Sequence, residues 1–346
     1  MKPSSNNNIN IAAIHAAVES GLTKLERDPV RGVRNMLDMG QLFSRTHRQR
    51  SFFQMAQRML GRRRSQYMQL VKRAVANVER NTLKTMGINL GYHSWSQGAK
   101  VIRAIEEERG FNVPWSFVIR LNQDCAQPLS AGEVRGTIAQ ARELGVHCYW
   151  LAIDERRDDL DELMDMCGTF NDCAFIIMLP VSMINDSMAQ RALSQSNIAI
   201  CVGGERSDEL ERATKVLRQA RLLYGLYRLY DDTDYQNITG GEMLSTTDMY
   251  GGQFAVFMHA PDCSEECRAK VHAYANGEKD APERPVFMVD FFADLATVDN
   301  IISSQPCYIE IESDGEIRPS PRQEPSGVNL RTHTIADAML ELVPRM

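Results

Sequence analysis

Short apolar runs alternate with amphipathic helices after Pro114, and this alternation restricts the fold more than any other feature. The repeat is about 25–30 residues, which is the length of one strand–helix–strand crossover. Runs such as Ala174–Leu179 are apolar throughout, as required of a parallel strand between two helix layers. The predicted strands are Trp115–Leu121, Cys148–Ile153, Ala174–Leu179, Ile198–Val202, Leu223–Tyr230, Phe254–His259 and Val286–Phe291.

Six or so such units predict an α/β fold, built as a partial (β/α)6 barrel of the TIM type with a helical N-terminal extension. A doubly wound sheet is the main alternative. The intervening helices are predicted at Ala131–Leu144, Leu160–Met166, Ser187–Ser194, Ser207–Gln219 and Ser264–Asn276.

Both ends of the chain differ from the barrel. Residues 1–10 are polar and Asn-rich and are predicted to be a disordered tail. Apolar residues then recur every three or four positions, which predicts a helical region over residues 11–112. The barrel is expected over residues 113–300. Residues 301–346 are predicted to form a degenerate β-hairpin with an Asp-Gly turn, followed by a final helix.

The location of the protein is predicted from what the chain lacks. A membrane span needs about 18 consecutive apolar residues, and the sequence has no such run. The start also lacks the basic-then-apolar order of a signal peptide. A cytoplasmic protein is therefore expected, whose eight cysteines are thiols rather than disulfides. The sequence leaves the oligomeric state open.

Residues 41–80 are strongly basic. They contain ten Lys or Arg and one acid, a net charge of +9, whereas the whole chain carries −6. The densest part is Arg62-Arg63-Arg64. Such a segment can bind nucleic acid, an anionic surface or an acidic partner, or it can dock on the acidic remainder of its own fold. Nucleic-acid binding is the weaker alternative, because few aromatic residues interleave the arginines as in a base-stacking surface.

Several stretches, in a fixed order, resemble the radical S-adenosylmethionine proteins, including their SPASM-like members. The first is LKTMGINLGY at residues 83–92, which leads to Asn112-Val113-Pro114-Trp115 at the first strand. The second is the hairpin at residues 312–319, which resembles the NGDIEPC region of that family. The resemblance spans roughly residues 30–342 and implies a barrel that binds S-adenosylmethionine and a [4Fe–4S] cluster.

The departures from this family pattern concern its cofactors. The family places CxxxCxxC after the first strand, because three thiolates must hold the cluster. Here Cys125 stands alone at that place. The family's Gly-Gly-Glu-Pro at the end of the second strand is replaced around Asp154 and Glu155, and Ser320 takes the place of the hairpin cysteine. Cys125, Asp154, Glu155 and Cys201 are therefore interpreted as a vestigial cofactor site, with both the [4Fe–4S] cluster and S-adenosylmethionine lost.

The leading hypothesis is a non-catalytic relative of these enzymes that binds a peptide, a small ligand or a partner protein and assists an intact paralogue. Tyr230, Asp232 and His259 lie at strand ends and are the candidate ligand-binding residues. One alternative is an enzyme with replaced chemistry, in which Asp154, Glu155, Asp232 and His259 converge around a divalent cation. The other is anion or nucleic-acid binding through the basic helices.

Cys263 and Cys267 lie four residues apart, on one face of a predicted helix. Two thiolates at this spacing can share a metal, and His259 and His272 are the nearest histidines in sequence. The sequence favours incidental thiols at a helix start, so no metal site is predicted.

Overall fold

A computed structural model describes residues 5–43, 54, 57, 60, 65–153, 157–303, 305–320 and 325–345. Within these residues, nine strands form one half-barrel sheet in the order β7-β6-β5-β4-β3-β2-β1-β8-β9. All neighbours are parallel except β8 and β9, which pair antiparallel. The strands are β1 (Ser116–Arg120), β2 (Cys148–Ala152), β3 (Ala174–Pro180), β4 (Ile198–Gly203), β5 (Tyr224–Tyr230), β6 (Phe254–His259), β7 (Phe287–Asp290), β8 (Glu310–Ile311) and β9 (Ile317–Arg318).

Helices precede the sheet and join its strands. The first group is α1 (Ser5–Arg27), α2 (Pro29–Phe43), α3 (Gln66–Asn77), α4 (Arg80–Ile88), a π-helix (Asn89–Gly98) and α5 (Ala99–Arg109). Those that follow β1 are α6 (Ala131–Glu143), α7 (Leu160–Thr169), α8 (Asp186–Gln195), α9 (Asp208–Gln219), α10 (Tyr235–Thr239), α11 (Glu242–Met249), α12 (Glu265–Asp280), α13 (Phe291–Ile302) and α14 (Ile335–Leu342). A short 3₁₀ turn, Val181–Met183, follows β3.

The predicted α/β partial barrel is confirmed. Strands β1 to β7 lie side by side in chain order, so the sheet lacks the reversal of strand order that defines a doubly wound fold. Each predicted strand from the first to the sixth overlaps an observed one, and their bounds differ by at most one residue at either end. The strongly apolar runs fixed these elements because each had to be buried on both faces.

The two faces of the sheet are covered differently. The Tyr149 hydroxyl donates to the carbonyl oxygen of Val146, 2.8 Å away, and lies 3.3 Å from that of Ile138 in α6, so Tyr149 faces the helix layer. Trp150 points the other way because side chains alternate along a strand. Its ring lies 4.9 Å from that of Phe291 in α13, which therefore packs on the concave face.

The helix α13 was not predicted from the sequence. Val286–Phe291 was predicted as a strand, whereas the strand β7 ends at Asp290 and Phe291 begins the helix. From the sequence alone, the aromatic residues Phe291 and Phe292 resemble the end of an apolar strand. Phe291 is instead buried on the concave side of the half-barrel, which a pattern of neighbouring residues cannot indicate.

The N-terminal helices form a region with a small core of its own, built on Leu22, Leu25, Val33 and Met68. Helix α1 begins at Ser5, where the sequence predicted a disordered tail over residues 1–10. The π-helix passes close to the loop before β2, since a Cβ atom at Gly98 would collide with the carbonyl oxygen of Gly145. Wide turns of this kind are uncommon and were not predicted.

The described part of the basic segment docks on its own chain. Arg73 donates to Asp248 and to the carbonyl oxygen of Gly252, each at 2.6 Å. Arg80 binds Glu19 at 2.7 Å and also pairs with Glu26. Arg62, Arg63 and Arg64 lie outside the described residues, so the basic surface assigned to them stays a prediction.

The C-terminal region contains the hairpin and the final helix that the sequence predicts. The hairpin turns at Asp314-Gly315, and Gly315 has a φ of 87°, in the left-handed region that favours glycine. Helix α14 begins with a capping box between Thr334 and Asp337. Across the described residues, every helix is too short or too polar to span a lipid bilayer.

Candidate functional site at the mouth of the half-barrel

The carboxyl ends of β1 to β7 meet at one edge of the sheet, which we call the mouth. Parallel barrels place their functional groups at this edge, since loops from several strands converge there. The register shows which side chains share the concave face near it. One row runs through Arg120, Ala152, Met178, Cys201 and Gly225.

The loop 122–130, between β1 and α6, is closed by a buried arginine. Arg157 is 5% exposed, and its guanidinium donates to the carbonyl oxygens of Leu121 at 3.3 Å and Leu129 at 2.8 Å. Asp159 binds the same guanidinium at 2.7 Å. One side chain thus links the two ends of the loop, and the cation has its counter-ion within the fold.

The same loop is also fastened to the C-terminal hairpin. The backbone N–H of Asn122 donates to the Ser313 hydroxyl, and that of Leu129 donates to the Ser313 carbonyl oxygen, both at 2.8 Å. Arg331 donates to the carbonyl oxygen of Gln127 at 3.0 Å. The hairpin therefore covers the β1 side of the mouth.

A partly buried ionic network, with Glu310 as its buried member, lies next to this loop on the concave face. Arg120 at the end of β1 pairs with Glu310 of β8, which also accepts a 3.0 Å hydrogen bond from the Tyr308 hydroxyl. Glu312 lies 3.4 Å from Arg318 across the hairpin. Burial, together with the negative charge of Glu310, raises the pKa of Glu312 and raises that of Tyr308 well above its usual range.

The predicted vestigial site is only partly described. Cys125 lies in the closed loop and is partly exposed, whereas Cys201 is fully buried inside β4. Burial raises the pKa of the Cys201 thiol well above its usual range, so this thiol stays protonated. Asp154 and Glu155 lie outside the described residues, so their assignment stays a prediction.

The residues predicted to bind a ligand end β5 and β6. Tyr230 is buried, and its ring lies 6.5 Å from that of His259. His259 stacks on Phe292 with the ring centroids 4.3 Å apart, and its Nδ1 lies 3.1 Å from the carbonyl oxygen of Ala260. Asp232 is exposed and accepts hydrogen bonds from Ser264. The three thus share one end of the sheet, but Tyr230 is covered by the fold.

Sequence reasoning missed Leu229. Arg228 binds Asp234 at 2.9 Å and lies 3.9 Å from Glu242 of α11, so it faces the helix layer. Leu229 therefore faces the concave side, and it is 55% exposed. Beside it, the ring of Tyr227 covers Gly203, where a Cβ atom would collide with it. The alternation within β5 was the available signal, but exposure at the mouth depends on which strand ends remain uncovered.

The sequence matches no protein-family model and no curated protein. Solved structures of Streptococcus suis SuiB share the fold. One aligns with a TM-score of 0.52 and 14% identity, over 68% of each chain. SuiB bound to S-adenosylmethionine aligns with a TM-score of 0.51 and 14% identity, over 68% of this chain and 66% of SuiB. SuiB bound to its precursor peptide SuiA aligns with a TM-score of 0.52 and 14% identity, over 68% of this chain and 67% of SuiB. The radical-SAM-like fold expected from the resemblance is therefore confirmed as a fold.

The residues at the β1 side do not fit the iron–sulfur cluster that this fold family implies. Such a cluster needs three thiolates that converge on one point. The loop 122–130 offers Cys125 alone, and the described residues contain no group of three His, Cys, Asp or Glu ligands that includes Cys125 or Cys201. No chemistry is therefore derived through a cluster at this place.

Proposed function

We propose that this chain is a radical-SAM-like half-barrel that binds a peptide at its mouth and does not itself generate a radical. In this proposal any radical step belongs to another protein of the same fold, and this chain assists by holding the peptide. The single observation that carries the proposal is the closure of loop 122–130 by Arg157 and Ser313.

That closure consists of hydrogen bonds within the chain. A cluster-binding loop must direct its donors toward the cofactor. Here the loop has the single thiol of Cys125, and the carbonyl oxygens of Leu121 and Leu129 at its two ends accept hydrogen bonds from Arg157. Removing that arginine would leave buried carbonyl oxygens unsatisfied, which costs about 1–3 kcal/mol per group. The arrangement therefore stabilises the loop in its closed form.

A peptide is the proposed ligand because of the concave face near β5. Leu229 is exposed there beside the half-buried Tyr227, and Met258 pairs with Leu229 across the strands. An apolar patch next to aromatic and polar groups suits the side chains of an extended peptide. SuiB, which shares the fold, has been solved with a precursor peptide bound.

The absence of radical chemistry is tested by anaerobic reconstitution of the full chain with ferrous iron and sulfide. Reductive cleavage of S-adenosylmethionine to 5′-deoxyadenosine is then measured under dithionite, with a cluster-bearing radical enzyme run in parallel. We expect no product above the protein-free background, and the same result for Cys125→Ala. Stoichiometric iron and sulfide together with cleavage would refute this part of the proposal.

Peptide binding is tested by selecting a random-peptide phage library on the immobilised chain and measuring enriched synthetic peptides by fluorescence anisotropy. Leu229→Asp should weaken binding by at least tenfold, a loss of about 1.4 kcal/mol. The matched control is Leu340→Asp, because Leu340 on α14 is 54% exposed against 55% for Leu229. Equal binding by both variants, or no enrichment, would refute the assigned surface.

A further inference from the structure

Two thiols and a carboxylate converge just beyond the ends of β5 and β6. The ligand atoms of Asp232, Cys263 and Cys267 all lie within 4.8 Å of one another. Cys263 and Cys267 are 3% and 4% exposed, while Asp232 is at the surface. Sequence spacing brought the two thiols together, and the pairing of β5 with β6 brought the carboxylate to them.

Ser264 fixes the geometry of this group. As the N-cap of α12, its hydroxyl oxygen accepts the backbone N–H of Cys267 at 3.2 Å. Its hydroxyl and its backbone N–H both donate to Asp232 Oδ1, at 2.6 Å and 3.1 Å. One residue therefore orients the carboxylate and the helix turn that carries Cys267, which is the part that supporting residues play in metal sites.

A fourth oxygen ligand lies next to the thiols. The carbonyl oxygen of Asp231 lies 3.4 Å from the Cys267 sulfur. Burial, together with the neighbouring Cys263 and Asp232, raises the pKa of the Cys267 thiol to about 12, so a cation that binds here must displace the thiol proton. When ionised, the two thiolates and the carboxylate carry three negative charges, which a divalent cation would offset.

We propose that Asp232, Cys263 and Cys267 bind a zinc-class divalent cation, with the Asp231 carbonyl oxygen or a water molecule in the fourth position. Thiolate ligands select zinc over magnesium and calcium, which prefer oxygen. The ion would tie the loop after β5 to the start of α12. This metal site does not depend on the proposed peptide binding. Its ligands are the two thiols and Asp232, whereas the peptide is assigned to the surface around Leu229.

A second group of metal-ligand type makes a useful contrast. His147, Asp172 and Cys173 also place their ligand atoms within 4.8 Å of one another. There, however, the guanidinium of Arg142 already binds Asp172 at 2.7 Å. That carboxylate has a cation in the fold, whereas Asp232 accepts hydrogen bonds from the neutral Ser264.

The test uses the full chain, purified without metal under reducing conditions. Cobalt(II) is added, and its sulfur-to-metal charge-transfer bands and visible tetrahedral bands are recorded. Zinc affinity is then measured by competition with a chromophoric chelator. We expect one cobalt per chain with thiolate bands that zinc displaces. Cys267→Ser should lose these bands and weaken zinc binding by at least about tenfold. Asp232→Asn, a surface change that leaves the core intact, should weaken zinc binding in the same direction.

The controls are Cys125→Ser and Cys173→Ser, which should keep the bands and the affinity. Circular dichroism of each metal-free variant verifies that it is folded. The proposal is overturned if the folded wild-type chain binds no cobalt or zinc. It is equally overturned if Cys267→Ser and Asp232→Asn bind zinc like the wild type, or if Cys173→Ser alone abolishes binding.

Discussion

The β1 side and the β5 side of the mouth differ in how their polar groups are used. On the β1 side, Arg157, Ser313 and Glu310 bind other groups of the same chain, and the side is covered by the hairpin. On the β5 side, Leu229 is exposed and Asp232 lies at the surface beside two thiols. The same fold thus has one half of its mouth closed by internal bonds and one half with an exposed apolar side chain and a surface carboxylate.

This difference shows how a loop at a strand end is held closed by bonds within the chain. Such a loop must satisfy its own buried backbone groups, because unsatisfied ones are costly. Arg157 and the hairpin do this at the β1 side.

The largest effect is expected from Arg157→Ala, which tests whether the β1 side is closed by this residue. Arg157 has 2% side-chain exposure and binds two carbonyl oxygens and Asp159. Leaving the buried carbonyl oxygens of Leu121 and Leu129 without their donor costs about 1–3 kcal/mol of unfolding free energy for each group. Urea unfolding measures this change. Arg191→Ala, at a 40% exposed arginine, should change it by less than about 1 kcal/mol. Equal effects of the two variants would contradict the assigned closure.

The next largest effect is a pH dependence of the unfolding free energy, caused by Asp299. This residue belongs to α13 on the concave face, and its hydrogen bonds link that helix to the β1 side. Asp299 accepts the backbone N–H groups of Trp115 at 3.0 Å and Cys307 at 2.6 Å, and burial raises its pKa to about 7. The folded state therefore holds a proton that the unfolded chain releases above about pH 4. Stability from this group is complete below that pH and is lost as the pH rises through about 7.

We expect the unfolding free energy of the wild type to fall relative to Asp299→Asn between about pH 4.5 and pH 7.5, by a few kcal/mol at most. Urea unfolding at several pH values measures it. Asp337→Asn is the control, because hydrogen bonds from Thr334 lower the pKa of Asp337, so its contribution stays constant in this window. A flat difference between the wild type and Asp299→Asn would contradict the assignment.

A smaller effect is expected from Glu310→Gln, which tests the ionic network of the β1 side. The Glu310 side chain is 2% exposed and binds both Arg120 and Tyr308. Replacing the carboxylate by an amide weakens a charged hydrogen bond, which costs about 2 kcal/mol. Thermal or urea unfolding measures it. Glu266→Gln, at an exposed pair with Lys270, should stay within about 0.5 kcal/mol of the wild type. If Glu310→Gln also leaves the unfolding free energy unchanged, the network does not stabilise the closed side.

The smallest effect on stability is expected from Leu229→Asp, on the β5 side. An exposed side chain away from the core changes the unfolding free energy by about 0.5 kcal/mol or less. The midpoint of urea unfolding should therefore match that of the wild type. A loss above about 1 kcal/mol would show that Leu229 is packed within the fold, and the contrast between the two sides would disappear.

Much of the barrel could be predicted from local pattern. The runs Ala174–Leu179 and Phe254–His259 are apolar on both faces, so they could only be buried strands. Helix starts could be predicted where a serine precedes the helix. Ser207 and Ser264 are examples, and their side chains cap the first turn. Helix α13 was missed because Phe291 reads equally well as the last residue of a strand.

The candidate site was less accessible to sequence reasoning. Tyr230 and His259 end β5 and β6, and Asp232 follows β5 by two residues, but burial of Tyr230 depends on packing around it. Arg157 read as one charge in a polar loop. Its partners Leu121 and Leu129 lie 36 and 28 residues away in sequence, so its closing role follows from the fold alone.

By itself, the sequence determined the strand–helix alternation, the parallel barrel and the single thiol after the first strand, since each depends on residues that are near neighbours in the chain. Only the tertiary structure decided which half of the mouth is closed and that Asp232 meets Cys263, 31 residues further along. The physical reason is that burial and ligand geometry arise between strands, where the pairing register sets which distant side chains become neighbours.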